Sequence, residues 1–304
     1  MINLQQVALV CKPHEVSVAP VVREAYACLT TAGVTVLVDK HAAEHLDVAG
    51  TEIEHLAQLT AKQGGWAVVI GGDGTLLGAS RQFAPLGVPL LGVNQGRLGF
   101  MVEVSPQGLA QTLQAVLQGE YSIEPRALLQ AGVIHDGHIQ QAHYALNEVV
   151  VRSRDLTRML EFSTRLDGSF ISHHFADGII IATPTGSTAY SLSSGGPVMH
   201  PSLDALALVP ICPHTLTDRP LVVSSHHSIE VEVAEAPRHT EAVAATFSCD
   251  GQLQLPLTSG DVVRIAAAPF RLQLMHPRGY DYFHILRSKL HWGRSERLRL
   301  ASER

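Results

Sequence analysis

Residues 66–77 read Trp66-Ala-Val-Val-Ile-Gly-Gly-Asp-Gly-Thr-Leu-Leu77: a short apolar run, three glycines around one carboxylate, then an apolar continuation. Ala67 to Ile70 read as a buried strand, because the run is largely β-branched and bounded by glycines. Without Cβ atoms at Gly71, Gly72 and Gly74 the backbone can turn sharply and approach a ligand closely. Backbone N–H groups at such a turn suit phosphate oxygens, the more so if a helix starts at Thr75. Asp73 lies in the middle of this anion-friendly turn. It has three ligand-directed uses there: proton acceptor, metal ligand, or partner for a ribose hydroxyl. It also fits a plain helix cap.

Outward from this turn, strands and helices alternate. Val7 to Val10 and Val34 to Val38 read as strands, and Val21 to Thr31 as a helix stopped at Gly33. Thr51 to Gln63 reads as a second helix, and Pro89 to Val93 as another strand. Ser105-Pro106 opens a helix to Leu117, with Ser as N-cap, Pro at the first helical position and Gly119 as the stop. Such alternation implies an α/β domain with a doubly wound parallel sheet, whose ligands sit beyond the carboxyl ends of the strands. The glycine loops 71–74 and 92–99 fall at that edge.

After about residue 122 the pattern changes. Asp136-Gly137 and Asp167-Gly168 are hairpin-turn dipeptides. Leu160 to Leu166 and Ser169 to Phe175 alternate like paired strands, and Ser228 to Val233, Val243 to Ser248 and Val262 to Ala266 continue the pattern. The expected organisation is an α/β domain over 1–122 and a β-rich, sandwich-like domain over 123–282. A helical tail, 283–304, returns to the first domain.

The composition is that of a globular protein, with 304 residues, 46% hydrophobic and 16% charged. A net charge of −6 gives no electrostatic support to nucleic-acid binding. The locally basic stretch from Arg287 to Arg304 is short, carries Glu296 and Glu303, and reads as a solvated helix. Cys11, Cys28, Cys212 and Cys249 form no CxxC pair, which argues for reduced thiols in the cytoplasm. The first residues lack the basic region and apolar run of a signal peptide, and no stretch approaches the roughly 20 apolar residues of a membrane span.

Two further motifs carry chemistry. Asn147-Glu148 suits a nucleoside: the amide both donates and accepts, and the carboxylate accepts from vicinal ribose hydroxyls. An exposed strand end explains the same pair. Asp177-Gly-Ile-Ile-Ile-Ala-Thr-Pro-Thr-Gly-Ser-Thr-Ala-Tyr190 is more specific. A buried strand, Ile179 to Ala182, delivers a loop with five hydroxyl side chains between Thr183 and Ser191, and a helix start near Ser187–Ala189. Hydroxyls and free N–H groups there bind phosphate or ribose, and Tyr190 can face a flat ring. His41-Ala-Ala-Glu44-His45 has the H-x-x-E-H spacing of a zinc peptidase. Such a site needs a distal ligand that the sequence does not single out, so the stretch reads as a solvated helix face and no metal-ligating residues are assigned. His173-His174 and His226-His227 lie in strand-like segments, where neighbours face opposite ways.

The first motif alone resembles the signature shared by NAD kinases, diacylglycerol and sphingosine kinases, and phosphofructokinases. Together with Asn147-Glu148, Asp177-Gly178 and Thr183 to Tyr190, the chain resembles a bacterial NAD kinase. Gly195-Gly196-Pro197, Pro213-His214-Thr215-Leu216 and Cys249-Asp250-Gly251-Gln252 also match that family. So do Gly92, Asn94, Gly96, Leu98, Gly99 and Phe100 in the second glycine loop. The similarity runs over most of residues 66 to 290 and is weak before 66. Lipid kinases lack the hydroxyl-rich motif.

The resemblance implies ATP-dependent phosphorylation of the 2′-hydroxyl of the adenosine ribose of NAD. It also implies a divalent cation, usually Mg²⁺, and a homodimer or homotetramer. It makes Asp73 the general base, in a phosphate loop of Gly71, Gly72, Gly74 and Thr75. Asn147 and Glu148 hold the dinucleotide, and Thr188, Ala189, Tyr190, Ser191 and Ser193 line its pocket. Asp177 reaches the NAD of a neighbouring subunit, and Arg158 and Gln252 fall at positions that often contact ligand. Neither GxxxxGK[ST] nor GxGxxG occurs, which disfavours a P-loop enzyme and a hydride-transfer enzyme with the usual dinucleotide fingerprint. The competing readings are a lipid kinase of the same superfamily and a non-catalytic dinucleotide sensor.

Overall fold

The computed structural model describes residues 4–46, 48, 59, 64–95, 99–135, 137–155, 158–215, 217–234 and 243–292. The expected helix at 51–63, Gly96 and Leu98, Asp136, Leu216 and the tail beyond 292 lie outside the described residues, Leu59 and Gly64 apart. The chain forms two compact units. The first comprises Met1–Ala79, Val88–Glu124 and Leu274–Arg304, and the second Ser80–Gly87 and Pro125–Gln273.

In the first unit, β1 (Gln6–Cys11) pairs in parallel with β2 (Thr35–Val38) on one side and β3 (Gly65–Ile70) on the other. Next, β4 (Leu90–Val93) adds to β3, and residues Leu274 and Met275 of a late strand add to β4, all parallel. Successive strands thus leave β1 in opposite directions, and the crevice between the carboxyl ends of β1 and β3 is the switch point where such sheets bind ligands. Every residue of β3 is buried. Each buried Val or Ile there contributes about 1.5–3 kcal/mol relative to exposure. Helices α1 (Ala19–Thr31), α2 (Lys40–Ala43), α3 (Asp73–Phe83) and α4 (Leu109–Leu117) connect the strands. Val22, Ala25 and Leu29 of α1 and Leu109, Leu113 and Val116 of α4 share one core with Leu9, Val68 and Ile70.

Two local expectations change here. The helix after β3 begins at Asp73, two residues before Thr75, because Thr75 and Leu76 both donate backbone bonds to the Gly72 carbonyl. Ser105 does cap, accepting from Gly108 N–H at 3.3 Å, but Pro106–Gly108 is a 3₁₀ turn and the α-helix starts at Leu109.

The second unit is antiparallel. The long β5 (Tyr121–His135) leads into it and pairs with β6 (His138–Ile139) and β7 (His143–Ala145). One sheet runs in the order β13 (Leu221–Ser224), β12 (Ala205–Ile211), β11 (Gly178–Ala182), β8 (Glu148–Ser153), β15 (Ala245–Cys249) and β16 (Leu253–Leu257). The other places β10 (Ser169–Ala176), β9 (Leu160–Leu166), β14 (Ile229–Val233) and β17 (Val262–Pro277) side by side. Asp167 and Gly168, joining β9 to β10, both have positive φ, as a type I′ hairpin turn demands. Phe162, Val231 and Ile265 from one sheet and Val151, Ile181 and Phe247 from the other fill a common core. The strand expected at 262–266 continues to Pro277. It changes partners midway, from β14 to β4, and so re-enters the first unit at Leu274. Asp281 then caps α6 (Tyr282–Leu290), accepting from Phe283 and His284 N–H. No helix among the described residues is long and apolar enough to cross a membrane.

Candidate functional site

In the first unit the site is built around the turn after β3. Gly71 N–H donates to the Val93 carbonyl at 2.8 Å, which locks the turn to the end of β4. A Cβ on Gly71 would collide with the Thr75 side chain, so glycine is required there. The Asp73 carboxylate bonds backbone outside its own helix. Its Oδ2 accepts from Phe100 N–H at 3.0 Å and its Oδ1 from Met101 N–H at 3.2 Å. Both donors follow the second glycine loop, and a Cβ on Gly99 would run into the Asp73 carboxylate. Two loops that are 27 and 28 residues apart in sequence thus clasp one half-buried carboxylate. Each oxygen accepts one N–H and keeps a lone pair for a further donor. Gly72 and Gly74 lie exposed on either side of it.

In the second unit Asn147 and Glu148 are buried, so the exposed-strand-end reading fails. The reason is Asp250, which the sequence reading assigned no role. Its φ is +52°, a conformation that Asp tolerates better than most residues. Its Oδ1 accepts from Asn147 N–H at 2.8 Å and Glu148 N–H at 3.3 Å, and its Oδ2 from Leu146 N–H at 3.0 Å. Arg81, in the segment Ser80–Gly87, donates to Oδ2 at 3.1 Å and also bonds the Gln252 side chain. The Asp-Gly dipeptide at 250–251 was the available signal for Asp250; Arg81 had none.

Glu148 is the perturbed group of the set. Burial, followed by the negative charge of Asp250, pushes its carboxyl up to about 8, against a bond from Tyr190 N–H that lowers it. Its Oε2 is buried with no partner. Because the folded value lies above the ordinary 4.5, the folded state holds a proton that the unfolded state has lost. This contribution to stability is complete below about 4.5 and is lost as pH rises through about 8. Glu148→Gln, which never ionises, is expected to flatten that loss. Its melting temperature relative to wild type should rise between pH 5.5 and 8.5; parallel pH profiles would refute the assignment.

In the hydroxyl-rich loop three hydroxyls bond the protein's own backbone. Thr183 Oγ1 donates to the Leu146 carbonyl at 2.6 Å and accepts from Gly186 N–H at 3.1 Å. Ser187 Oγ donates to the Pro184 carbonyl at 2.6 Å and accepts from Met199 N–H. Thr188 Oγ1 donates to the Thr185 carbonyl. These hydroxyls build the loop itself. Instead of one helix near 187–189 there is a 3₁₀ turn, Gly186–Thr188, then the single-turn α5, Tyr190–Ser193. Ser191 Oγ is buried and without a partner. Thr188 and Ala189 are half-buried, and Tyr190 and Ser193 exposed. Asp177 and Tyr190 line one cavity of about 170 Å³ with Arg152, Ser153, Asp155 and Ile211. Arg158 is not among that lining; it is exposed and pairs with Asp155 at 3.5 Å. The four cysteines are free, and burial first, then nearby carboxylates, push Cys11 up to about 12.

The comparisons agree with this architecture. The ATP-NAD kinase N-terminal domain family matches residues 7–121, and the ATP-NAD kinase C-terminal domain family matches residues 146–277. The NAD kinase of Aeromonas salmonicida is 42% identical over 94% of this chain and 96% of its own length. The NAD kinase of Aromatoleum aromaticum is 40% identical over 97% and 96%. Among solved structures, yeast NADH kinase complexed with NADH shares the fold, with a TM-score of 0.86 at 24% identity over 96% of this chain and 89% of that one. An Archaeoglobus fulgidus NAD kinase in complex with ATP gives a TM-score of 0.70 at 27% identity over 94% and 98%. With both domain families matched in order and relatives at 40–42% identity along nearly its whole length, the chain belongs to the NAD kinase family of phosphotransferases.

Proposed function

We propose that the chain transfers the γ-phosphoryl group of ATP to the 2′-hydroxyl of the adenosine ribose of NAD, with Asp73 as general base. The observation that carries this is the clasp on Asp73. Two backbone N–H groups fix the carboxylate beside exposed glycines, at the carboxyl end of β3, while leaving it free lone pairs. In the reaction the 2′-oxygen bonds to the γ-phosphorus and the bond to the β-phosphate oxygen breaks. ADP leaves with the electron pair, and the hydroxyl proton goes to Asp73. Such transfers need placement and charge neutralisation more than covalent help. ATP as donor is supported by the archaeal neighbour, which was solved with ATP.

The residues fit a divalent cation carried with the nucleotide. Asp73 offers hard carboxylate oxygens at a half-open site, and Mg²⁺ is usually held by one or two carboxylates plus the substrate phosphates. When bound, Mg²⁺ would neutralise phosphate charge. Gly71, Gly72, Gly74 and Thr75 would shape the backbone near those phosphates. Asn147 and Glu148 would receive the dinucleotide, the unpartnered Oε2 of Glu148 accepting a ribose hydroxyl. Thr188, Ala189, Tyr190, Ser191 and Ser193 would form the adjoining pocket wall, with Arg158 and Gln252 at its margin.

The test is direct: purified protein with ATP, Mg²⁺ and NAD should form NADP. Turnover of diacylglycerol or sphingosine but not NAD would overturn the reading. We further propose a homodimer or homotetramer in which Asp177 serves a neighbour's site. Asp177→Ala should weaken NAD binding, and mixing it with Asp73→Asn chains should restore part of the activity through hybrid sites. A fully active monomer by light scattering would refute the shared site.

A further inference from the structure

The H-x-x-E-H stretch lacks a distal ligand in sequence, and the fold supplies one from elsewhere. His41 is the second residue of α2 and Glu44 follows its end. The buried Asp39 caps this short helix, its Oδ1 accepting Ala42 N–H at 2.7 Å, and so fixes the direction in which the helix presents His41. His14 comes from the loop after β1, where its φ is +55°. Each of the three side chains offers one ligand atom, and these atoms lie within 4.8 Å of one another. The rings of His14 and His41 meet edge to face at 5.3 Å.

The local bonding is incomplete. His41 Nδ1 is buried and makes no hydrogen bond. The nearest acid, Glu44 Oε1, is 3.7 Å away, beyond hydrogen-bond range. Two ligands held about 2.0–2.1 Å from a zinc ion at the tetrahedral angle stand about 3.3–3.4 Å apart, so a few tenths of an ångström separate this pair from ligating geometry. His45, the second histidine of the motif, is not part of the group. Its carbonyl instead accepts Arg23 Nε at 3.1 Å, in the turn beyond α2.

We propose that His14, His41 and Glu44 bind a first-row transition-metal ion of the Zn²⁺ class, with the fourth position open to solvent. Two imidazoles and one carboxylate suit Zn²⁺, Ni²⁺ or Cu²⁺, whereas Mg²⁺ and Ca²⁺ take oxygen ligands. His14 and Glu44 are exposed, which gives the ion an entry path. The bound ion ties the loop after β1 to α2.

The experiment titrates ZnCl₂ into the full chain by calorimetry, with excess Mg²⁺ present throughout. Co²⁺ absorption serves as the geometric readout. Wild type and His45→Gln should each bind one equivalent, and Co²⁺ should show the intense visible bands of a four-coordinate site. His14→Gln and Glu44→Gln should each lose affinity by about tenfold or more, since even outer-shell partners of a metal ligand contribute that much. Zn²⁺ should raise the melting temperature of wild type but not of His14→Gln. Circular dichroism and Mg²⁺-supported NADP formation confirm that each variant folds. No binding by wild type, an unchanged isotherm in His14→Gln, or loss of the equivalent in His45→Gln would overturn the proposal.

Discussion

Asp73→Asn is expected to lower kcat for NADP formation by roughly 10²-fold or more while NAD still binds measurably. Asn keeps the size of the side chain and one oxygen, but it cannot take the ribose proton. It also turns an amide toward one of the two N–H donors at Phe100 and Met101, so part of the clasp is lost. That loss moves the loop and should appear as a modest rise in the KM for ATP. The loss of the base appears in kcat. Three roles separate in one experiment. A cap would tolerate Asn, because Asn caps helices about as well as Asp, and turnover would stay near wild type. A dedicated Mg²⁺ ligand would recover much of its rate at high metal. A base recovers with neither. Near-normal turnover at ordinary Mg²⁺ is the result that would sink the catalytic assignment. Gly99 offers a second view of the same clasp, since a side chain there must displace the Asp73 carboxylate without changing its chemistry.

The parts of this fold that the sequence made legible are those set by local rules. The run from Ala67 to Ile70 read as a buried strand from its β-branched residues, and the glycines after it as a turn. Asp167-Gly168 announced its hairpin because both residues must take positive φ. The partner change within β17 was not legible. Alternation shows that a segment is extended, but not which strand lies beside it, and residues 262 to 277 alternate poorly because both faces of the later half are partly covered. The site divides the same way. Asp73 was legible as a candidate because it stands among glycines at the end of a buried strand, although a helix cap fitted it too. The loop-building bonds of the Thr183, Ser187 and Thr188 hydroxyls were not legible, because composition shows that hydroxyls are present but not which carbonyls they reach. His14 carried no signal, because its value lies wholly in a neighbour 27 residues away.

Asp250→Ala is expected to destabilise the protein by about 3 kcal/mol or more, because it removes a fully buried carboxylate from a partly buried ion pair and from three backbone donors. The side chain of Asp250 is fully buried, and it serves three backbone N–H groups, of Leu146, Asn147 and Glu148, besides Arg81. Alanine leaves those three buried donors without the carboxylate that they bond. It also leaves the guanidinium of Arg81 bonded to Gln252 but without its carboxylate partner. Orphaned groups of this kind cost about 1–3 kcal/mol each, and because they relax together the sum is not additive. The strand start at Asn147-Glu148 should therefore shift, and the KM for NAD should rise even where the fold survives. Urea unfolding of the second unit gives the stability change, and initial rates at varied NAD give the KM. The double variant Arg81→Met, Asp250→Ala should be less damaged in stability than the sum of the single changes, because the stranded charge is gone. If Asp250→Ala unfolds within about 1 kcal/mol of wild type, less than a single orphaned donor costs, then Asp250 does not organise the Asn147-Glu148 start. The hydrogen-bond account of that half of the site would then fail.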